Sequence, residues 1–573
     1  MQEPITARKQ LLSLYKETIK NVEKDSSRPT FKDQGRQMSA DNLAVYEQIK
    51  SIPFQKINEE LEERGLTPFI NKESHLLSAF ERLLQHFGEV KDEGDSLKRP
   101  TKRNSQALLD WRSKLLLGGP RQGANIMVTL DSSRHRSIDE LENLCQQGMT
   151  LARINGGRDE ENILADWFSW GSQLSDSYSL RIGLDLPGDT LRIPSLQKKK
   201  GILKVPVRYN EYFIDGTLTP VTTQSIVEKQ TVDQSTFTLY VKDISLSSFK
   251  KGDKLKFHDY RGRKRKLHVL TDPVGDNLQV RLYRNAYIEN QTTLYYKKKM
   301  IGTISGIPSS PVTLSVTDGD KLRIRFDSSA PEDHMEEDGA FVINSPAAKF
   351  FENLQAEEPF LIDDGKISGV VQISTPEYVE LLVQHPKDQR SPIEEQRSIV
   401  FPEQKNLSPS LSNPDRELLE KWGKQSDFIL LSFVENAEQL QELKKELERL
   451  NLTHLGVMAK IESERAVENI DTILKEGLSF QKFGVMLGRG DLLAMVASDE
   501  LPHMQRTVLK SAKAAHLPVI IATGLLQRTA KTGQAHQAEL IDVEAAKEAE
   551  GVMLNKGNYT SKAVSLAKAI LEK

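Results

Sequence analysis

Between Leu455 and Asp491 the chain alternates strand, helix and strand within one stretch, LGVMAKIESERAVENIDTILKEGLSFQKFGVMLGRGD, and few folds accommodate that rhythm. Two short apolar runs, Leu455–Met458 and Phe483–Leu487, each give way to polar residues. Between them Ala466, Val467, Ile470, Ile473 and Leu474 recur at helical spacing, which predicts a helix from Ser463 to Lys475. A helix joining two strands implies a parallel pair with a right-handed crossover. In barrels made of such units the chemistry stands at the carboxyl ends of the strands.

The residues at those ends are chemically pointed. The first strand runs into Lys460-Ile461-Glu462 and the second into Gly488-Arg489-Gly490-Asp491. Lys460 and Glu462 are two apart on an extended segment, so both face one side. Two carboxylates from neighbouring strands, Glu462 and Asp491, suit Mg²⁺, which keeps positions open for water and substrate oxygens. A lysine beside them supplies charge for a phosphoryl group or a developing enolate. Gly488 and Gly490 would let the backbone approach a ligand. The plainer reading is a salt-bridged strand end in an ordinary α/β domain.

Other segments repeat the pattern. A strand at 124–130 is followed by a helix from Ser137 to Gln147 with Gly148 as its C-cap. A second strand ends in Arg153-Ile154-Asn155-Gly156-Gly157-Arg158. A third, Leu180–Leu186, leads into Asp185-Leu-Pro-Gly188-Asp189-Thr190-Leu-Arg192. After about residue 200 the rhythm is replaced by hairpin-like β structure. There Lys251-Gly252-Asp253 and Asp318-Gly319-Asp320 each predict a turn into a strand. The basic run Arg261-Gly-Arg263-Lys264-Arg265-Lys266 reads first as a solvated hairpin tip and second as a phosphate-binding patch. The strand–helix alternation resumes after Pro409. Residues 1–118 carry amphipathic helical stripes, such as Leu11, Leu12, Leu14, Tyr15 and Ile19, and no catalytic constellation. They suggest a docking or oligomerisation domain.

The chain has 573 residues, enough for several cores, and its net charge of −3 gives no reason to expect nucleic acid or a membrane surface as partner. With Cys145 as the single cysteine there is no intrachain disulfide, and the expected compartment is reducing, most simply the cytoplasm.

Several of these motifs, in this order, resemble the pyruvate kinases. Lys460-Ile-Glu462-Ser and Gly488-Arg-Gly490-Asp491-Leu are similar to the family's KIEN and ARGDL. Leu517–Gln527 is similar to its PVI-ATQ-LE segment, and Ala538–Asp542 to RAE-xxD. The resemblance implies a TIM-type (β/α)8 barrel with an inserted β-rich domain. Its parts would be a helical extension at 1–120, barrel at 121–200, insert at 201–400 and barrel again at 401–573. It implies phosphoryl transfer from phosphoenolpyruvate to ADP, Mg²⁺ (or Mn²⁺) on Glu462 and Asp491, and charge neutralisation by Lys460. Arg153 and Arg192 would bind phosphate, Gly490 would line the substrate, Thr523 would sit near the enolate methylene, and Asn155 and Asp185 would line a site for K⁺. A homo-oligomer is expected. Because the sequence stops where typical members continue, effector control through a C-terminal regulatory domain is not.

The sequence also departs from the family. Gly156, Gly157 and Arg158 follow Asn155, and Thr190 replaces the Glu or Lys associated with the potassium requirement. Gly524 and Gln527 alter the ATQ-LE segment, Gln537 replaces an arginine, Met495 falls near a usual glutamate, and Arg397 stands for a lysine. Two further readings therefore stand beside the first. One is a barrel enzyme acting on another enolpyruvate or 2-oxo acid. The other is an inactive regulatory paralogue.

Overall fold

The computed structural model describes residues 6–88, 96–118, 125–132, 134–157, 159–188, 191–193, 198–199, 202–205, 207, 213–221, 236–275, 277–307, 310–311, 314–326, 340–344, 351, 353–363, 365–387, 390–393, 397–402 and 411–573. They form two compact units, 1–191 with 361–365 and 398–573, and 192–360 with 366–397.

The first unit contains the expected closed barrel of eight parallel strands. In order these are Asn125–Thr129, Leu151–Asn155, Arg181–Leu186, Phe428–Leu431, Gly456–Ile461, Phe483–Gly488, Val519–Ala522 and Gly551–Leu554. The last strand closes on the first, with Met127 opposite Met553. Alternation along each strand divides the side chains. Val457, Ala459 and Ile461 face outward into the shell of helices, whereas Met458 joins Met127, Met486 and Met553 in the barrel's interior.

The same alternation carries the chemistry. Beyond Met458, the next inward positions of the fifth strand are Lys460 and Glu462. On the second strand Leu151 is followed inward by Arg153. On the fourth strand Leu430 is followed by Ser432. The polar layer is thus the top storey of a packed apolar core.

Local signals account for the element ends. The helix Ile138–Gln147 opens on a capping box between Ser137 and Glu140 and ends at Gly148. The predicted helix after Glu462 is two helices, Glu464–Glu468 and Ile470–Gly477, because Asn469 breaks it and donates a side-chain hydrogen bond to the Glu435 carbonyl at 2.9 Å.

Residues 6–88 and 96–117 contain helices that share the first unit with the barrel. The buried Arg112 Nη1 donates to the carbonyls of Ala515 and His516 at 2.8 and 3.1 Å. The buried His516 ring hydrogen-bonds the Ser39 hydroxyl at 2.8 Å, and burial pushes its pKa down to about 4. The helix Lys102–Leu117 ends under the barrel. Leu116 lies so close that a Cβ on Gly456 or Gly484 would come within 2.4 or 2.7 Å of its methyl carbons.

The second unit is the β-rich insert. Seven strands, Ile214–Val221, Thr236–Lys242, Lys254–His258, Lys264–Val269, Leu278–Leu282, Thr293–Tyr296 and Lys299–Ser305, close a small barrel. Phe237, Leu239, Phe257, Leu267 and Leu278 fill it. The strand Lys321–Arg325 pairs antiparallel with Tyr378–His385, which pairs in turn with Ile367–Ser374. Gly252 and Gly319 sit at φ 94° and 84°, so both Gly-Asp turns predicted from the sequence form with the backbone glycine favours.

Candidate active site

Lys460 is the centre of the polar storey. Its ammonium donates to the Ser432 hydroxyl at 2.9 Å, pairs with Glu462 Oε1 at 3.0 Å and lies 3.5 Å from Asp185 Oδ1. Burial opposes its charge, but the Asp185, Glu462 and Asp491 carboxylates outweigh that cost and hold its pKa above the ordinary lysine value. Lys460 is therefore a permanent buried cation here.

Glu462 is 3 % exposed and its second oxygen accepts from the Phe433 amide at 3.1 Å. Phe433 adopts φ 50°, unusual for a bulky residue, at the mouth of the barrel. Gly488 makes room for this carboxylate, since a Cβ there would meet Glu462 Cγ at 2.7 Å.

Asp491 belongs to the first turn of the helix Arg489–Met495, which starts as the sixth strand ends. The Gly-Arg-Gly-Asp segment is therefore a helix start. The Gly490 amide donates to Thr523 Oγ1 at 2.6 Å, and that hydroxyl donates to the Ala522 carbonyl at 2.7 Å. Thr523 sits at φ 65°. It is held there by Arg489, whose guanidinium donates to the Thr523 carbonyl at 2.9 and 3.2 Å and grips Asp542 with two bonds of 2.8 Å. Asp542 is the aspartate of the Ala538–Asp542 motif, so its visible task is to brace this arginine.

Arg153 and Asp185 face each other across neighbouring strands. The Arg153 Nε donates to Asp185 Oδ2 at 2.7 Å, and Nη2 makes a second, shorter bond to the same oxygen. Arg153 Nη1 donates to Thr129 Oγ1 at 2.9 Å. Burial would raise the Asp185 pKa, but Arg153 and Lys460 together hold it below the usual carboxylate value. Asn155 Oδ1 accepts from the Gly157 amide at 3.1 Å. Arg192 belongs to the second unit, and Arg158, Asp189 and Thr190 lie outside the described residues.

The first unit thus gathers Arg153, Asp185, Lys460, Glu462, Gly490, Asp491 and Thr523 at one end of the barrel. Sequence reasoning missed Ser432 and Thr129 as members of this network. Ser432 receives the Lys460 bond and donates to the Leu186 carbonyl at 2.7 Å. The alternation running inward from Leu430 was the available signal for it.

The donor set fits a divalent ion of the magnesium type. Among the described residues no group of three or more His, Cys, Asp or Glu side chains is placed to enclose a metal. Glu462 and Asp491 supply two carboxylates, and such an ion takes its other ligands from water and substrate. Asp185 does not fit a monovalent cation equally well. One of its oxygens is engaged by Arg153 and the other faces Lys460 and Ser432, at 3.5 and 3.4 Å.

A (β/α)8 barrel with a lysine–carboxylate centre at the strands' carboxyl ends defines the class of protein. Comparison with known proteins shows which family it is similar to. Residues 302–564 match the family described as pyruvate kinase, barrel domain. The chain is 27% identical over 264 residues to a pyruvate kinase of Mycoplasma pneumoniae, covering 43% of this chain and 50% of that one. It is 30% identical over 187 residues to one from Geobacillus stearothermophilus, covering 32% and 31%. It is 26% identical over 237 residues to one from Lactococcus lactis, covering 40% and 44%. The matches span half or less of the length of these relatives. Residues 302–564 of the chain are thus similar to the pyruvate kinase barrel domain. The matched range takes in Lys460, Glu462, Asp491 and Thr523 but begins after the Arg153 and Asp185 segments.

Proposed function

We propose that this protein is a pyruvate kinase, transferring the phosphoryl group of phosphoenolpyruvate to ADP and releasing pyruvate and ATP. The observation that carries the reading is the buried Lys460 ammonium within 3.5 Å of both Glu462 and Asp185 at the barrel mouth. A fixed positive charge in a water-poor site stabilises an enolate oxygen or a phosphoryl oxygen without reorganisation as charge develops.

In this reading Glu462 and Asp491 hold Mg²⁺ or Mn²⁺, which when bound neutralises phosphoryl and enolate charge. Arg153 orients the phosphate. Gly490, through its bond to the Thr523 hydroxyl, positions the threonine beside the methylene carbon that gains a proton as the enolate becomes pyruvate. The P–O bond to the enol oxygen breaks, a P–O bond to the terminal oxygen of ADP forms, and the proton enters at carbon. No step uses a monovalent cation, because Asp185 is already bonded to Arg153 and faces Lys460.

The test is a coupled pyruvate-release assay with phosphoenolpyruvate, ADP and Mg²⁺, run with and without K⁺. Turnover in both conditions is expected. Absence of turnover with Mg²⁺-dependent oxalate binding would point to a different acceptor or enolpyruvate. Absence of both would favour a non-catalytic member of the family.

A further inference from the structure

The outer face of the small barrel in the second unit carries a charge pattern that its own fold does not explain. In the ladder between Lys254–His258 and Lys264–Val269, Lys254 stands opposite His268, Lys256 opposite Lys266, and His258 opposite Lys264. The alternate positions Leu255, Phe257, Leu267 and Val269 fill the core, so these three pairs all project outward. Of these pairs Lys256 and Lys266 set like charges directly opposite, which destabilises a ladder.

Among the described residues no carboxylate pairs with these lysines. The neighbouring carboxylates serve other cations: Asp215 is bonded to Arg281 at 2.6 Å and Asp259 lies 3.0 Å from Arg265. Among the described residues Lys254, Lys256, Lys264 and Lys266 have no ion-pair partner. His268 records the crowding, since burial and then Lys254 and Lys266 hold its pKa below the ordinary value. Edge protection does not account for the lysines either. Lysines guard the open edges of sheets, and this sheet is closed, with both strands paired on each side. Nor is the whole chain cationic, for its net charge is −3.

Aromatic rings are set into the same face. Tyr295 pairs with Lys256 from the next strand and is 39 % exposed. Tyr283 is 48 % exposed and meets the His268 ring edge-on at 5.0 Å. Alternate residues along a strand repeat at about 6.6 Å, which arrays the cations in rows flanked by flat rings. Cations in rows with exposed aromatics are what single-stranded nucleic acid requires, phosphates on the lysines and bases on the rings. A membrane surface would instead select a protruding apolar edge among the lysines.

We propose that this face is a docking surface for single-stranded nucleic acid, with phosphates on Lys254, Lys256, Lys264 and Lys266 and bases stacked on Tyr295 and Tyr283. This revises the expectation from overall charge that no nucleic acid is bound. It is independent of the phosphotransferase reading.

The experiment is fluorescence anisotropy of the full chain with a labelled oligouridine of roughly a dozen nucleotides. Saturable binding is expected at about 50 mM salt, with a log–log salt slope near −3, because each single-strand phosphate contact contributes about −0.7. The Lys256→Ala/Lys266→Ala double variant should lose about 1.4 of that slope. Tyr295→Ala should weaken binding roughly five- to tenfold at an unchanged slope, as a stacking partner would. Absence of saturable binding overturns the proposal. So does an unaltered double variant, or binding to phosphatidylserine vesicles without binding to the oligonucleotide.

Discussion

Lys460 stands among three carboxylates, Asp185, Glu462 and Asp491, of which Asp185 is also paired with Arg153. Lys460→Met removes the fixed cation, and kcat should fall by at least 10²–10³-fold, the usual cost of losing a preorganised electrostatic group. Asp491→Asn should fall as far, with most of the loss recoverable by raising Mg²⁺ if its task is metal binding. In Lys460→Met the melting temperature should also drop, because Glu462 loses its buried partner while Asp185 keeps Arg153. Steady-state kinetics and thermal melts on both variants check this, and near-normal turnover in either would remove that residue from the site. Replacing K⁺ by tetramethylammonium should leave turnover unchanged, as expected of an Asp185 already bonded to Arg153. At this scale two-residue spacing on a strand predicts a common face for Lys460 and Glu462, and their side chains meet at 3.0 Å. The sequence did not disclose Ser432 or Thr129, because a lone hydroxyl at a strand end has many structural uses.

Single elements decide how the site is supported. The helix Lys102–Leu117 sends Leu116 into the floor of the barrel, against positions where only glycine leaves room. Leu116→Ala should therefore cost about 2–5 kcal/mol, measurable by denaturant unfolding, although the residue lies far along the chain from any barrel strand. Helix and strand boundaries were legible where capping residues mark them, as at Ser137 and Gly148. They were not legible at Asn469, where a hydrogen bond to the Glu435 carbonyl from another βα unit breaks an otherwise helical pattern. Nor did the sequence show that the Gly-Arg-Gly-Asp segment starts a helix, since glycines ordinarily signal a loop and Arg489 is fixed by the distant Asp542.

Across the whole molecule the barrel was foreseeable and the closure of the insert was not. Parallel units announce themselves by a repeated local rhythm, whereas the seven-stranded barrel depends on pairings between strands far apart in sequence. Charge was the weakest guide at this scale, since a net −3 conceals the lysine ladder of the insert, which has no ion-pair partner among the described residues. One half-buried group makes the first unit sensitive to pH. Burial pushes the Glu550 carboxyl from 4.5 up to about 7, while its Oε2 accepts from the Val519 amide at 2.8 Å. The folded form thus binds this proton more tightly than the unfolded form. Its stabilising contribution is fully present below pH 4.5 and is lost as pH rises through about 7. Melts of Glu550→Gln against the parent should show the variant gaining relative stability from pH 5 to pH 8; parallel curves would contradict that assignment.

The most direct test of the phosphotransfer reading is to follow the phosphorus itself. ³¹P NMR of the protein with phosphoenolpyruvate, ADP and Mg²⁺ should show the phosphoenolpyruvate resonance replaced by the γ-phosphate of ATP, and Lys460→Met should abolish that exchange. Loss of phosphoenolpyruvate to inorganic phosphate alone, or no change in the spectrum, would contradict the account.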